Sequence, residues 1–308
     1  MMQRLPAEFR QAVISCLILF VWNQTTVASA DEFSAMANQH TWVWSLDLES
    51  EESQRLFPIV NAAAVHELAV SSDGRTFAYS GRPVGNVRNQ RIRIWTCDAA
   101  GENVRDLGCG RMPSWSPQGK RLVFSRIESE AGVWIMRADG RDQKILDAQG
   151  SAASWSADGR QIAWLRPIAG KLSVVLYDVA EDDFDVVTTD VEFPPAPFSG
   201  QLKWSPQNTK LCLVAGNNKE RAWLMTLNAS QPANLRRLDE QRRSFSEPPV
   251  WLSGVTVLHE GQCYSMNDTA SGLSPQSNQK GQLVREAGVF ADMSRDARVV
   301  YYLKQSSE

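Results

Sequence analysis

Histidine is nearly missing from this chain of 308 residues, with three, and cysteine is sparse, with five. So few cysteines cannot supply a dense disulfide framework. No C-x-x-C occurs, which removes zinc knuckles and thioredoxin-like redox pairs. No G-x-S-x-G nucleophile elbow is present, no glycine-rich phosphate loop leads from a strand into a helix, and no stretch has a helical period. Charge of either sign is not in excess: Lys+Arg number 32 and Asp+Glu 35, for a net −3. That balance argues against a dedicated nucleic-acid binder. The apolar run at residues 12–22 is too short to cross about 30 Å of hydrocarbon as a helix, and no second such run follows.

What the N-terminus does have is Arg4 and Arg10, the short apolar run, and an end reading Val27-Ala28-Ser29-Ala30. Basic flank, apolar core and small-x-small end are the parts of a secretory signal peptide, expected here over residues 1–30 with cleavage after Ala30. Its removal takes away two arginines and one glutamate and moves the net charge to −4. The mature chain would be a single domain, residues 31–308, periplasmic or otherwise exported, with no membrane span after cleavage. It would keep Cys97, Cys109, Cys212 and Cys263, which allow three pairings or none.

Residues 113–146 hold four short apolar runs separated by turn chemistry, the pattern of a four-stranded antiparallel meander. The unit recurs. Val70-Ser-Ser-Asp-Gly-Arg, Trp115-Ser-Pro-Gln-Gly-Lys, Trp155-Ser-Ala-Asp-Gly-Arg, Trp204-Ser-Pro-Gln-Asn-Thr, Trp251-Leu-Ser-Gly and Met293-Ser-Arg-Asp-Ala-Arg lie 40 to 49 residues apart. Such a period marks a propeller or solenoid. The sixth unit stops after two strands, and Thr41-Trp-Val-Trp-Ser-Leu with Gln54-Arg-Leu-Phe supplies the missing half from the other end of the chain. The expected fold is therefore all-β: a six-bladed β-propeller of four-stranded antiparallel blades, the last closed by N-terminal strands. Asp73, Asp139 and Asp158 before glycine are read as turn residues, and the tryptophans as wedges between blades.

The Trp-Ser-Pro-x-Gly-Lys/Arg pattern followed by Val-Trp-Ile-Met-x-Ala-Asp-Gly resembles the TolB-type propeller repeat, also called WD40-like or PD40. The resemblance runs over essentially the whole mature chain, most strongly in units two and three. It implies a six-bladed propeller of the bacterial envelope. Two departures from relatives are visible: TolB carries an α/β domain before its propeller, and propeller peptidases append a hydrolase domain. The expectation here is a bare propeller.

Long connections are expected on one face, at residues 81–90, 166–171, 188–200, 216–220 and 239–249, and loops on a rigid scaffold are where binding residues gather. That face carries the candidate ligand-binding residues Arg82, Arg88, Arg111, Arg126, Arg166, Arg221 and Arg242, with Phe193 and Phe198. Guanidinium groups suit carboxylates and anionic glycans, although Glu128, Glu130, Glu192, Glu220, Asp239 and Glu240 in the same loops also fit a simply solvated surface. His40, His66 and His259 are the candidate metal ligands, but their strands lie at successive distances of about 4.8 Å from the axis, which separates them. The function expected is a non-catalytic exported binding or scaffold propeller, without cofactor, for an envelope protein, peptide or glycan. The alternative is a metal-dependent or carboxylate-based lyase or hydrolase acting on anionic carbohydrate.

Overall fold

The structure, a computed structural model, describes residues 39–307 except 86–90, 128–129, 193–198, 218–220, 229–230, 238–248, 252, 254–255, 260–261, 266–288, 295 and 297. The chain separates into two compact units, Thr41–Ser306 and a second made of Met1–His40 with Ser307–Glu308. The expected signal peptide lies outside the described residues.

Every described element is a strand. In chain order they are β1 (Gln39–Asp47), β2 (Ser53–Ile59), β3 (Ala62–Val70), β4 (Thr76–Pro83), β5 (Arg93–Asp98), β6 (Arg105–Cys109), β7 (Arg111–Trp115) and β8 (Arg121–Arg126). There follow β9 (Gly132–Arg137), β10 (Lys144–Asp147), β11 (Ser151–Trp155), β12 (Gln161–Ile168), β13 (Lys171–Asp178), β14 (Asp183–Glu192), β15 (Ser199–Trp204) and β16 (Lys210–Asn217). The last are β17 (Arg221–Asn228), β18 (Gln231–Arg237), β19 (Val250–Trp251), β20 (Thr256–His259), β21 (Gln262–Ser265), β22 (Val289–Met293) and β23 (Val299–Ser307). They form six sheets, five of four strands and one, β19-β20-β21, of three among the described residues. The sheets β3 to β6, β7 to β10, β11 to β14 and β15 to β18 are simple meanders, while one is composite, in the order β2-β1-β23-β22. The two ends of the chain thus share a sheet, as the half-units at each end predict.

All six anchor residues close the first strand of their sheet: Val70, Trp115, Trp155, Trp204, Trp251 and Met293. A serine follows five of them, all but Trp251, and fixes the hairpin. Ser71, Ser116, Ser156, Ser205 and Ser294 each accept, on Oγ, the backbone N–H five residues on, at 2.9, 3.0, 2.9, 3.0 and 2.8 Å. Their own N–H groups donate back to the carbonyl of that same residue. Where an aspartate lies two residues on, the serine hydroxyl donates to it as well, as Ser71 to Asp73, Ser156 to Asp158 and Ser294 to Asp296. Ser116 and Ser205 are fully buried, so their hydroxyls are structural. The sequence reading gave the turn to the Asp-Gly pair alone; the serine carries as much of it.

The core is a succession of apolar layers between sheets. Leu165, Leu172, Val174 and Leu176 of one sheet meet Leu202, Leu211 and Leu213 of the next. Val123 and Val133 likewise face Ile162, Trp164 and Val175. Alternate residues of each strand therefore serve two different interfaces, which explains why the central strands read as nearly continuous apolar runs. First strands follow one another in space, β3 beside β7, β7 beside β11, β11 beside β15, β15 beside β19, β19 beside β22, and β22 beside β3.

The composite sheet is held partly by charge. Leu48 donates its N–H to the Arg298 carbonyl, and Arg298 Nε donates to Asp47 Oδ2 at 2.8 Å. The backbone N–H groups of Ser50 and Glu49 and the Arg298 guanidinium together hold the Asp47 carboxyl down at about 2.

Two expectations test this account. Ser116→Ala removes the acceptor of the part-buried Arg121 N–H and is expected to cost about 1 kcal/mol in urea unfolding, while the exposed turn change Gln118→Ala stays within about 0.5 kcal/mol. Because the Asp47 pKa is lowered on folding, its contribution is fully present above the ordinary value of 3.8 and is lost as pH falls towards about 2. Wild type is therefore expected to exceed Asp47→Asn in thermal midpoint at pH 6, with the difference shrinking to nothing at the acid end.

Candidate functional site

The ends of the first strands surround a cavity of about 240 Å³, whose lining is drawn from all six sheets. Four indoles, Trp115, Trp155, Trp204 and Trp251, stand around it, each at most 8% exposed. Their orientation follows from where their N–H groups go. Trp115 Nε1 donates to Ala69 O at 3.3 Å, Trp204 Nε1 to Ser154 O at 3.1 Å and Trp251 Nε1 to Lys203 O at 3.1 Å. In each case the acceptor is the penultimate residue of the preceding sheet's first strand. Two junctions use a variant in which the anchor's backbone N–H donates to the penultimate side chain: Trp155 N to Ser114 Oγ at 3.1 Å, and Val70 N to Asp292 Oδ2 at 2.9 Å. Trp155 Nε1 is buried without a partner. The sixth junction is apolar, Met293 packing in one cluster with Val250.

The penultimate positions Ala69, Ser114, Ser154, Lys203, Val250 and Asp292 therefore form the inner wall. Only two are charged, and they meet: Lys203 Nζ donates to Asp292 Oδ1 at 3.2 Å, with side chains 25% and 21% exposed. The pair links the sheet of β15 to the composite sheet past the one that lies between them. Asp292 thus receives one backbone and one ammonium proton, while Lys203 keeps N–H donors directed to no other partner among the described residues. The cavity can stack on indole and hydrogen-bond through hydroxyls and an ammonium, with its two charges already neutralised.

The sequence reading missed Lys203 and Asp292. Lining up the residue before each anchor would have found them, since the other four are small or apolar.

Of the arginines expected to form a ligand face, Arg111, Arg126 and Arg166 are held by neighbouring groups. Arg111 Nη2 donates to Glu67 Oε1 at 2.7 Å, and the Ser80 hydroxyl donates to the other oxygen of Glu67. A bulge with Met112 at φ 54° follows Arg111 and sets its direction. Arg126 donates to Cys109 O, Glu130 and Gln143, and its guanidinium lies 4.0 Å from the Trp134 ring centre. Arg166 Nη2 donates to Gln149 at 3.0 Å, and Nη1 lies 3.5 Å from Asp147, which also accepts from Trp164 Nε1. Arg111 and Arg126 do come together, around a recess of about 20 Å³ that Cys109 also lines. Arg82 sits exposed near the end of β4, and Arg221 opens β17 with its side chain outside the described residues. Arg88, Arg242, Phe193 and Phe198 lie outside the described residues altogether.

Two of the expected long loops are not long. Residues 166–171 reduce to a two-residue turn, Ala169 and Gly170 at φ 49° and 76°, because β12 runs to Ile168 and pairs with β13 from Lys171. Residues 188–200 shorten to 193–198, since β14 extends to Glu192 and β15 begins at Ser199. Pro167 pairs within the ladder, opposite Leu172.

His40 and His66 lie in β1 and β3, and His259 ends β20; the side chains of His66 and His259 are outside the described residues. No three described histidine, cysteine, aspartate or glutamate side chains group as metal ligands. Cys97, Cys109 and Cys212 are free thiols. Burial pushes the Cys97 thiol up to about 12 and raises that of Cys212 further, so neither acts as a thiolate near neutral pH. The Cys263 side chain is outside the described residues.

No family model matches the sequence, and no curated protein matches it either. Solved structures do match the fold. TolB from Acinetobacter baumannii superposes with a TM-score of 0.53 at 15% identity, over 88% of this chain and 64% of that one. This chain thus spans less than two thirds of that relative's length. A chain of a nidogen/laminin complex gives a TM-score of 0.56 at 11% identity, over 79% of this chain and 95% of the other. The chain has a β-propeller fold. At these identities the likeness speaks for architecture alone. An oligogalacturonate lyase from Vibrio parahaemolyticus superposes more loosely, with a TM-score of 0.48 at 12% identity over 74% and 70% of the two chains, too distant to bear on activity.

The ion pair across the propeller's cavity is open to a double-mutant cycle. Lys203→Met and Asp292→Asn are expected to couple by about 1 kcal/mol in denaturant unfolding. Asp292→Ala should cost more than Asp292→Asn, since only the amide oxygen still accepts from Val70 N.

Proposed function

We propose that the chain is an exported, non-catalytic binding propeller, in which the six sheets close as six blades and the central cavity receives part of a peptide, protein or glycan. The cyclic order of first strands and the sheet shared by the two termini support closure. The observation that carries the functional reading is the lining of the cavity. Indole rings and serine hydroxyls are contact groups, and among the described lining residues the one cation, Lys203, pairs with the one anion, Asp292, which also accepts the Val70 N–H. Such a wall favours a ligand rich in neutral hydrogen-bonding groups and planar or sugar-like faces. A carboxylate-based enzyme on anionic carbohydrate needs titratable groups free to exchange protons at a common point, whereas Asp292 is committed to Val70 and Lys203.

The end bearing Arg82, Arg88, Arg111, Arg126, Arg166, Arg221 and Arg242, with Phe193 and Phe198, is proposed as a second contact surface for the same class of partner. Export rests on the N-terminal pattern, with residues 1–30 as the signal peptide. The protein recovered from an envelope fraction is then expected to begin at Asp31.

The test is a titration of that mature protein with panels of peptides and oligosaccharides, read by tryptophan emission. Ser72 lines the cavity, and Ser72→Trp is expected to fill it, leaving the unfolding midpoint unchanged while weakening any hit at least tenfold. Undiminished binding by that variant would move the site away from the cavity, and product formation from any oligosaccharide would overturn the non-catalytic reading.

A further inference from the structure

The outer strands of the sheets are unequal. β2 and β18 have seven residues, β6 five and β10 four, but β14 has ten and is the longest strand described. It is terminal in its sheet, so one of its edges has no neighbouring strand within that sheet. Which residues face that edge can be read from a single bond. Phe184 N–H turns away from β13 and donates to the carboxylate of its own neighbour, Asp183, at 2.8 Å. The ladder to β13 is regular from Asp183 to Thr188, so the N–H and C=O groups of Phe184, Val186 and Thr188 point outward together.

The side chains along this edge are just as unequal. Phe184 is 52% and Val186 41% exposed on one face of the strand, large apolar groups left in water. They project towards the preceding sheet, whose outer strand β10 is only four residues long. Asp183 and Asp185 are exposed on the other face, and Glu181 and Asp182 occupy the turn leading in. A long edge strand with outward backbone groups and an apolar row is an invitation to pairing, and carboxylates in the strand restrict which partner accepts it.

We propose that β14 is a docking edge at which an extended, lysine- or arginine-bearing segment of another protein adds as a fifth strand. Backbone hydrogen bonds at Phe184, Val186 and Thr188 give the affinity. Basic side chains alternate opposite Asp183 and Asp185, and apolar ones cover Phe184 and Val186. This surface is separate from the central cavity, and its occupation leaves that site untouched.

The probe is a synthetic ten-residue peptide alternating lysine and valine, compared with one alternating glutamate and valine, and the full mature chain is the target. The lysine peptide is expected to slow amide exchange at Phe184 and Val186 at least tenfold, to bind at least tenfold more tightly than the glutamate peptide, and to weaken as salt is raised. Val186→Pro removes only an outward N–H, a change edge strands accommodate, and is expected to abolish the protection without shifting the unfolding midpoint. Should that variant fail to fold, Asp183→Lys combined with Asp185→Lys serves instead, and is expected to reverse the preference between the two peptides. Unprotected amides, or equal binding of both peptides, would overturn the proposal. So would protection of the same amides by raised protein concentration alone, which assigns the edge to a second copy of this chain.

Discussion

An indole N–H donating to the strand carbonyl of the neighbouring sheet is the contact on which the rest of this propeller depends. A four-stranded sheet whose two faces are both apolar cannot stand in water. Each of these sheets must be covered on both sides, and consecutive first strands are where the covering begins. Trp115, Trp204 and Trp251 make the contact by side chain, while Trp155 and Val70 make it through the backbone to Ser114 and Asp292. At these five junctions the result places a sheet in a fixed register against the one before it, and the apolar layers behind follow from that register.

The serine that follows five of the six anchors, buried in four of them, solves a related difficulty. Between the first and second strands the chain must reverse within a few residues of an anchor that is packed against the neighbouring sheets. One hydroxyl accepts the N–H that opens the second strand, and where aspartate follows, that hydroxyl also donates. The turn is thereby saturated from within. This is why the serine after the anchor, present in five of the six units, is more regular than the glycine: Asn208 replaces glycine at φ 59° and the hairpin is unchanged.

Charge does two different jobs around the sheet shared by the chain's ends. At its surface, Asp47 and Arg298 tie the first strand's turn to the last hairpin across 251 residues of sequence. At its inner end, Asp292 receives Val70 from the following sheet and Lys203 from two sheets back. The cavity floor is therefore made of the same groups that position the composite sheet, and a change at Asp292 acts on the site and on the fold together.

Much of the architecture was legible in the chain. Six anchors, the strand that ends at each, the half-units at the two termini and the turns at Asp73 and Asp158 all follow from local residue types repeated at a steady interval. Residues 166–171 were not: they read as a long connection, whereas β12 runs on to Ile168 and Ala169 with Gly170 makes the turn in two residues. The lining of the cavity was not legible, nor was it legible that Glu67 and Glu130 take up Arg111 and Arg126, partners 44 and 4 residues away. The sequence by itself determined that these sheets form, how many anchors there are and which residues end each first strand, since turns, alternation and buried serines act within a few residues. Tertiary structure alone decided that Lys203 and Asp292, 89 residues apart, face each other in the cavity, because that distance is set by how the sheets pack and not by anything in either strand.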